Sequence, residues 1–172
     1  MSPFEIKIKE IGKALDVGFY QSALALALTI PDICGKVAYP NDAVGKRYEN
    51  WFDNYVNGLD DIPEFDGRAC YLLRCSYLHS GELYISKRQI TKFKLHVDIA
   101  MGNHNIHNSI MRDGNNVELD IDVCDLCNTI CQAALKFYNQ FNDVSLFKND
   151  LIDDVSWSGE TYAQLFGQSE VV

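Results

Sequence analysis

The sequence predicts a mainly α-helical protein: a bundle of four to five helices with a small antiparallel β-hairpin or sheet inserted at about residues 92–121. Three observations lead there. Apolar residues recur at helical intervals in successive stretches of the chain. After residue 90 the period becomes that of a strand, with Phe93, Leu95 and Val97 alternating with Lys92, Lys94 and His96. No repeat or low-complexity tract divides the 172 residues, which is about one domain's length. The expectation is therefore a single domain, 1–172, with a C-terminal tail, 153–172.

The elements follow in order. Ile8, Ile11, Leu15, Phe19, Ala23 and Leu26 lie at helical spacing, and the run ALALAL is apolar on all sides, so its end is expected in the core. Pro31 should stop this helix, because the residue before a proline disfavours the helical region. A second helix has Asp42 as its cap, Val44, Tyr48, Trp51, Phe52 and Tyr55 as one stripe, and Gly58 at its stop. An acidic, proline-containing loop follows. Asp66 opens a third helix, GRACYLLRCSYLHSG, ending at Gly81. In the β region, Val117, Leu119 and Ile121 alternate with Glu118, Asp120 and Asp122, and Asp113-Gly114 signals a tight turn preceded by a strand within Ile106–Arg112. One strand is basic on its outer face and the other acidic, which suits cross-strand pairing. Asp122 should cap a fourth helix running to about Phe141, with a short fifth near Leu146–Ile152. The tail carries Trp157, Tyr162, Leu165 and Phe166, and is expected to pack back or to reach a partner subunit.

Composition narrows the function. With 47% apolar and 23% charged residues the chain is neither disordered nor fibrous. The longest uncharged stretch, Val17 to Pro31, is too short to span a bilayer, and MSPFEIKIKE does not read as a secretory signal. A cytoplasmic protein with no membrane partner is expected. A formal net charge of −9 argues against indiscriminate coating of nucleic acid, whose affinity rests on phosphate neutralisation. A local basic run remains: SKRQITKFK supplies Lys87, Arg88, Lys92 and Lys94 with no acid among them. Lys46 and Arg47, beside the aromatic stripe of Tyr48, Trp51 and Tyr55, are further candidates for substrate contact at the rim of the core.

Metal and nucleophile motifs are weak. Cys124-x-x-Cys127 resembles half of a zinc site, but no second half has the right spacing, and Cys127 and Cys131 share an apolar helical face with Leu126, Ile130 and Ala134. Small buried thiols, reduced, is the better reading. His104 and His107, with His96 nearby, sit in a polar loop, GNHNIHN, without an acid or cysteine to complete a set. No Gly-x-Ser-x-Gly, Walker-type or dinucleotide loop is present, so neither metal nor cofactor is implied.

The candidate chemistry lies in Arg74-Cys75-Ser76-Tyr77-Leu78-His79. Arg74 is the only charged residue between Arg68 and His79. A guanidinium among Leu72, Leu73, Tyr77 and Leu78 is costly without a partner, which would be an acid of this chain, an acid of a second subunit, or a phosphate. His79 sits in the last turn, where the helix dipole favours a cation. An imidazole moves protons near neutrality and a guanidinium steadies charge on phosphate, which together suit phosphodiester cleavage by a 2′-hydroxyl. The structural alternative is a buried ion pair at Arg74 with His79 merely ending the helix.

An Arg-x4-His closing an apolar helix, LLRCSYLHSG, in an α-helical chain of this size resembles the HEPN superfamily, higher eukaryotes and prokaryotes nucleotide-binding. The resemblance covers residues 1–81 and the helix from Asp122, leaving the β segment as an insertion. It implies a HEPN-like helical bundle that forms a homodimer, in which motifs of two subunits meet in one site for metal-independent endoribonuclease activity, as in toxin–antitoxin and phage-defence systems. Arg74 and His79 would then be catalytic, with Lys46, Arg47, Lys87, Arg88, Lys92 and Lys94 guiding single-stranded RNA. The alternative is a catalytically inactive HEPN-like module that binds an antitoxin or other protein partner. The acidic balance favours it, as does Cys75, which stands where the family commonly has a polar residue.

Overall fold

A computed structural model of the chain describes residues 2–56, 62–81, 83, 90–97, 108–114, 116–141 and 144–147. Six helices carry most of them: α1 (Pro3–Asp16), α2 (Tyr20–Ala27), α3 (Ile30–Ala38), α4 (Val44–Tyr55), α5 (Gly67–His79) and α6 (Val123–Tyr138). Three strands, β1 (Ile90–His96), β2 (Ser109–Asp113) and β3 (Asn116–Asp122), form one sheet, and a short 3-10 turn (Val144–Leu146) follows α6. The protein is mainly helical with a small mixed sheet. Among the described residues no helix is long and apolar enough to cross a membrane.

The N-terminal half departs from expectation three times, each time for a local reason. The first helical segment is two helices, because Gly18 adopts φ +79 between α1 and α2, a conformation that side chains other than glycine resist. The break turns Phe19 outward, 65% exposed, although its spacing put it on the apolar stripe. Pro31 does not stop a helix but starts one. It lies in the first turn of α3, where its missing N–H has no intrahelical partner to lose. Asp42 is likewise not the cap of α4. That position is Ala43, without a side-chain cap, while the Asp42 carboxylate accepts from Asn50 at 3.0 Å. Gly58 lies outside the described residues, as do Lys87, Arg88, His104, His107 and the segment 148–172, which contains the end of the expected fifth helix and the whole tail.

Other starts are as the sequence indicates. Asp66 accepts from the Ala69 amide at 2.8 Å and Asp122 from the Asp125 amide at 2.7 Å, each at the head of its helix. At the N-terminus Ser2 and Glu5 form a reciprocal capping box, and the Tyr138 hydroxyl donates to Ser2 at 2.9 Å, fastening α1 to α6. α6 is the most deeply set helix: Val123, Leu126, Cys127, Ile130, Ala134, Phe137 and Tyr138 are all buried in one continuous core with Ile8, Ile11, Leu24, Trp51 and Leu73. Phe147 closes an aromatic group with Phe4, Phe137, Tyr138 and Phe141.

The sheet corrects the antiparallel expectation. Its order is β1-β3-β2, with β2 and β3 antiparallel about the turn at Gly114 and β1 parallel to β3. Phe93, Leu119 and Ile121 face the core, fully buried. On the other face Lys92 stands opposite Glu118, Lys94 opposite Asp120 and His96 opposite Asp122. The basic and acidic faces do pair, although the strands run in the same direction.

Helix α4 approaches α3 so closely that a Cβ on Gly35 would sit 2.6 Å from the Arg47 carbonyl oxygen. Gly35→Ala should therefore destabilise the fold by about 1–3 kcal/mol through overpacking, although alanine favours an isolated helix by about 1 kcal/mol. Urea denaturation of the two proteins checks this; an unchanged or raised midpoint would mean the helices are not locked at this distance.

Candidate functional site

The middle of α5 lies beside the N-terminal end of α4, since a Cβ on Gly45 would fall 3.1 Å from the Tyr71 ring. Toward its C-terminal end α5 presents Arg74, half-buried, and His79, exposed. The two side chains meet: Arg74 Nη1 is 3.1 Å from His79 Nε2. A guanidinium has no acceptor, so a hydrogen bond in this contact requires the His79 tautomer that offers Nε2 as the acceptor.

Arg74's other neighbours are poor partners. Nη1 lies 4.0 Å from Cys75 Sγ, and Nε is buried without a hydrogen-bond partner among the described residues. No described carboxylate lies within 4.0 Å of it, so the buried ion pair of the structural alternative is absent among the described residues. An unpaired, half-desolvated guanidinium is a standing cost that an arriving anion would relieve. Its charge is felt locally: burial raises the Tyr48 and Tyr71 hydroxyls, and Arg74 offsets part of that rise. Tyr48 is fully buried, with its hydroxyl donating to the Leu28 carbonyl at 3.1 Å and 3.3 Å from Cys70 Sγ. The end of α5 is tied down by Tyr77, whose hydroxyl donates to Gln21 Oε1 of α2 at 3.2 Å.

The remaining candidates separate into two groups. Lys46, exposed in the first turn of α4, has no carboxylate partner among the described residues. Arg47 faces the other way. Its Nε and Nη2 both donate to Asp32 Oδ1, at 3.1 and 2.8 Å, and the side chain is 17% exposed. Lys92 and Lys94 are neutralised by the strand beside them, Lys92 with Glu118 at 3.2 Å and Lys94 with Asp120 at 3.1 Å. The sequence places the acids of residues 113–125 far along the chain from the basic run, and the sheet brings the two together.

One grouping escaped the sequence reading. His96 Nδ1 lies 2.6 Å from Asp120 Oδ1, and its Nε2 is 4.0 Å from Asp122 Oδ2. Asn108 joins the same end of the sheet, accepting from the Asp122 amide at 2.8 Å and donating to Asp125 at 2.7 Å. The signal was present in the alternation of both strands, but their relative direction was not. Among the described residues no group of three or more His, Cys, Asp or Glu is arranged to hold a metal ion.

Cys34, Cys70 and Cys127 are buried, and Cys75, Cys124 and Cys131 are half-buried. Burial pushes the Cys70 and Cys131 thiols up to about 12, and Cys127 higher still, with the neighbouring thiols adding to it. An unfolded chain releases these protons near pH 8.5. The folded state therefore keeps its full stability below that pH and loses it progressively as pH rises toward 12. Stability measured by urea should fall between about pH 8.5 and 11, and Cys131→Ala should lessen the slope by up to about 1.4 kcal/mol per pH unit. An identical slope in the variant would place Cys131 in water.

Comparison with known protein families, with curated proteins and with solved structures finds no match to this chain.

Proposed function

We propose that the chain is a HEPN-like, metal-independent endoribonuclease acting as a homodimer on single-stranded RNA. The observation that carries this reading is the 3.1 Å contact between Arg74 Nη1 and His79 Nε2, with no carboxylate on Arg74 among the described residues. His79 Nε2 removes the proton of a ribose 2′-hydroxyl, whose oxygen attacks the adjacent phosphorus. Charge builds on the non-bridging oxygens, where the Arg74 guanidinium supports it once it turns from the ring to the phosphate. The P–O5′ bond breaks, a proton passes to the departing 5′-oxygen, and a 2′,3′-cyclic phosphate remains. His79 of the partner subunit is the second proton carrier in this reading. In this reading Lys46, exposed and without a carboxylate partner among the described residues, steers the strand, while Lys92 and Lys94 are held by acids.

The second reading is a catalytically inactive HEPN-like module that binds an antitoxin or other protein. Val17 and Phe19, 64% and 65% exposed at the corner between α1 and α2, favour it as an apolar contact point.

Cleavage of mixed single-stranded RNA in excess EDTA decides between them. Wild-type protein should cut and leave cyclic-phosphate ends. His79→Ala should lose about 10²–10⁴-fold in rate and Arg74→Met about 10²–10³-fold. Equal cutting by His79→Ala would refute the assignment, and a well-folded dimer that does not cut would favour the interaction module.

A further inference from the structure

A cavity of about 250 Å³ opens between α3 and α4, lined by Asp32, Ile33, Lys36, Arg47 and Leu146. We propose that it is a binding site for a small organic monoanion, a carboxylate carried on a compact apolar body. The proposal is independent of the ribonuclease reading. Arg47 lies on the side of α4 that meets α3, opposite the side on which Gly45 and Glu49 meet α5.

The site is built rather than incidental. Gly35 allows the Arg47 backbone to lie against α3, and its missing side chain also leaves room for the Arg47 stem, whose Cγ would be 3.4 Å from a Cβ there. Asp32 then fixes the guanidinium through Nε and Nη2. Nη1 keeps its two N–H groups without a partner among the described residues. Lys36, one turn along α3 from Asp32, is exposed and has no carboxylate within 4.0 Å among the described residues. A planar fork held by a carboxylate and a mobile ammonium beside it make a receptor for a carboxylate.

Charge and size select the class. Among the described lining residues two cations against one carboxylate leave a single positive charge in a chain of net −9, enough for a monoanion, while Asp32 repels a dianion. Ile33 and Leu146 supply apolar walls, and Leu146 is 51% exposed, so an apolar body covering it gains burial. The volume lies just under the range of about 300–1,000 Å³ usual for drug-sized ligands, which points to something small.

The test is calorimetric titration of the full chain at pH 8 with benzoate and, separately, with inorganic phosphate. Benzoate should bind with Kd no weaker than about 10 mM. It should saturate one site and bind more tightly than phosphate. Lys36→Gln, an exposed position that leaves the fold intact, should weaken benzoate by about five- to tenfold, and Leu146→Ser should weaken benzoate but not phosphate. No saturation by about 50 mM, equal affinity in Lys36→Gln, or phosphate binding as tightly as benzoate would each overturn the proposal.

Discussion

Helix α4 is gripped from both sides only because a glycine faces it from each: Gly35 of α3 against the Arg47 carbonyl, and Gly67 of α5 against the Glu49 carbonyl. Backbones this close bring side chains into pairs that longer separations would miss. Asp32 reaches Arg47, Glu49 reaches Arg68 at 2.7 Å, and Asp53 accepts from the Gly67 amide at 2.6 Å. The last bond also occupies an N–H that the helix cannot satisfy itself. With α5 fixed against α4, Tyr71 is seated on Gly45, and Arg74 and His79 follow it along α5. Both the α5 site and the α3–α4 cavity are consequences of the same close packing.

The distribution of paired cations gives the site its meaning. In a chain with twenty-four acids, carboxylates are plentiful, and Arg47, Arg68, Arg112, Lys92 and Lys94 each have one. Arg74, half-buried, has none among the described residues and lies 3.1 Å from His79 Nε2 instead. Stability alone would favour an acid there or an apolar residue in its place. In the proposed reading the partner is a phosphodiester, an anion that a neighbouring imidazole can transform.

Much of this was legible in the sequence, and the failures have physical causes. The caps at Asp66 and Asp122 and the stripe of Tyr48, Trp51 and Phe52 follow from local rules, and so did the placing of Arg74 and His79 at the end of one helix. Proline is ambiguous because it is unfavourable inside a helix yet favourable in a first turn, so Pro31 reads equally as a stop or a start. Gly18 ends α1 through a backbone angle that no apolar pattern reports. Strand direction fails for another reason. Alternating charge specifies which faces meet, but Lys94 can oppose Asp120 in a parallel or an antiparallel ladder, and only the path of the intervening chain distinguishes them. The same gap hid the His96–Asp120 contact and made Lys92 and Lys94 look available for RNA.

The most direct measurement of the central claim is the ¹H–¹⁵N resonance of Arg74 Nε during titration with single-stranded RNA carrying 2′-O-methyl groups, which cannot be cleaved. A guanidinium awaiting a phosphate should show a saturable shift of that resonance, lost as salt is raised and unaffected by Lys92→Met. A resonance that does not move while RNA binds elsewhere, or that is already locked in the free protein by an acid partner, would contradict the account.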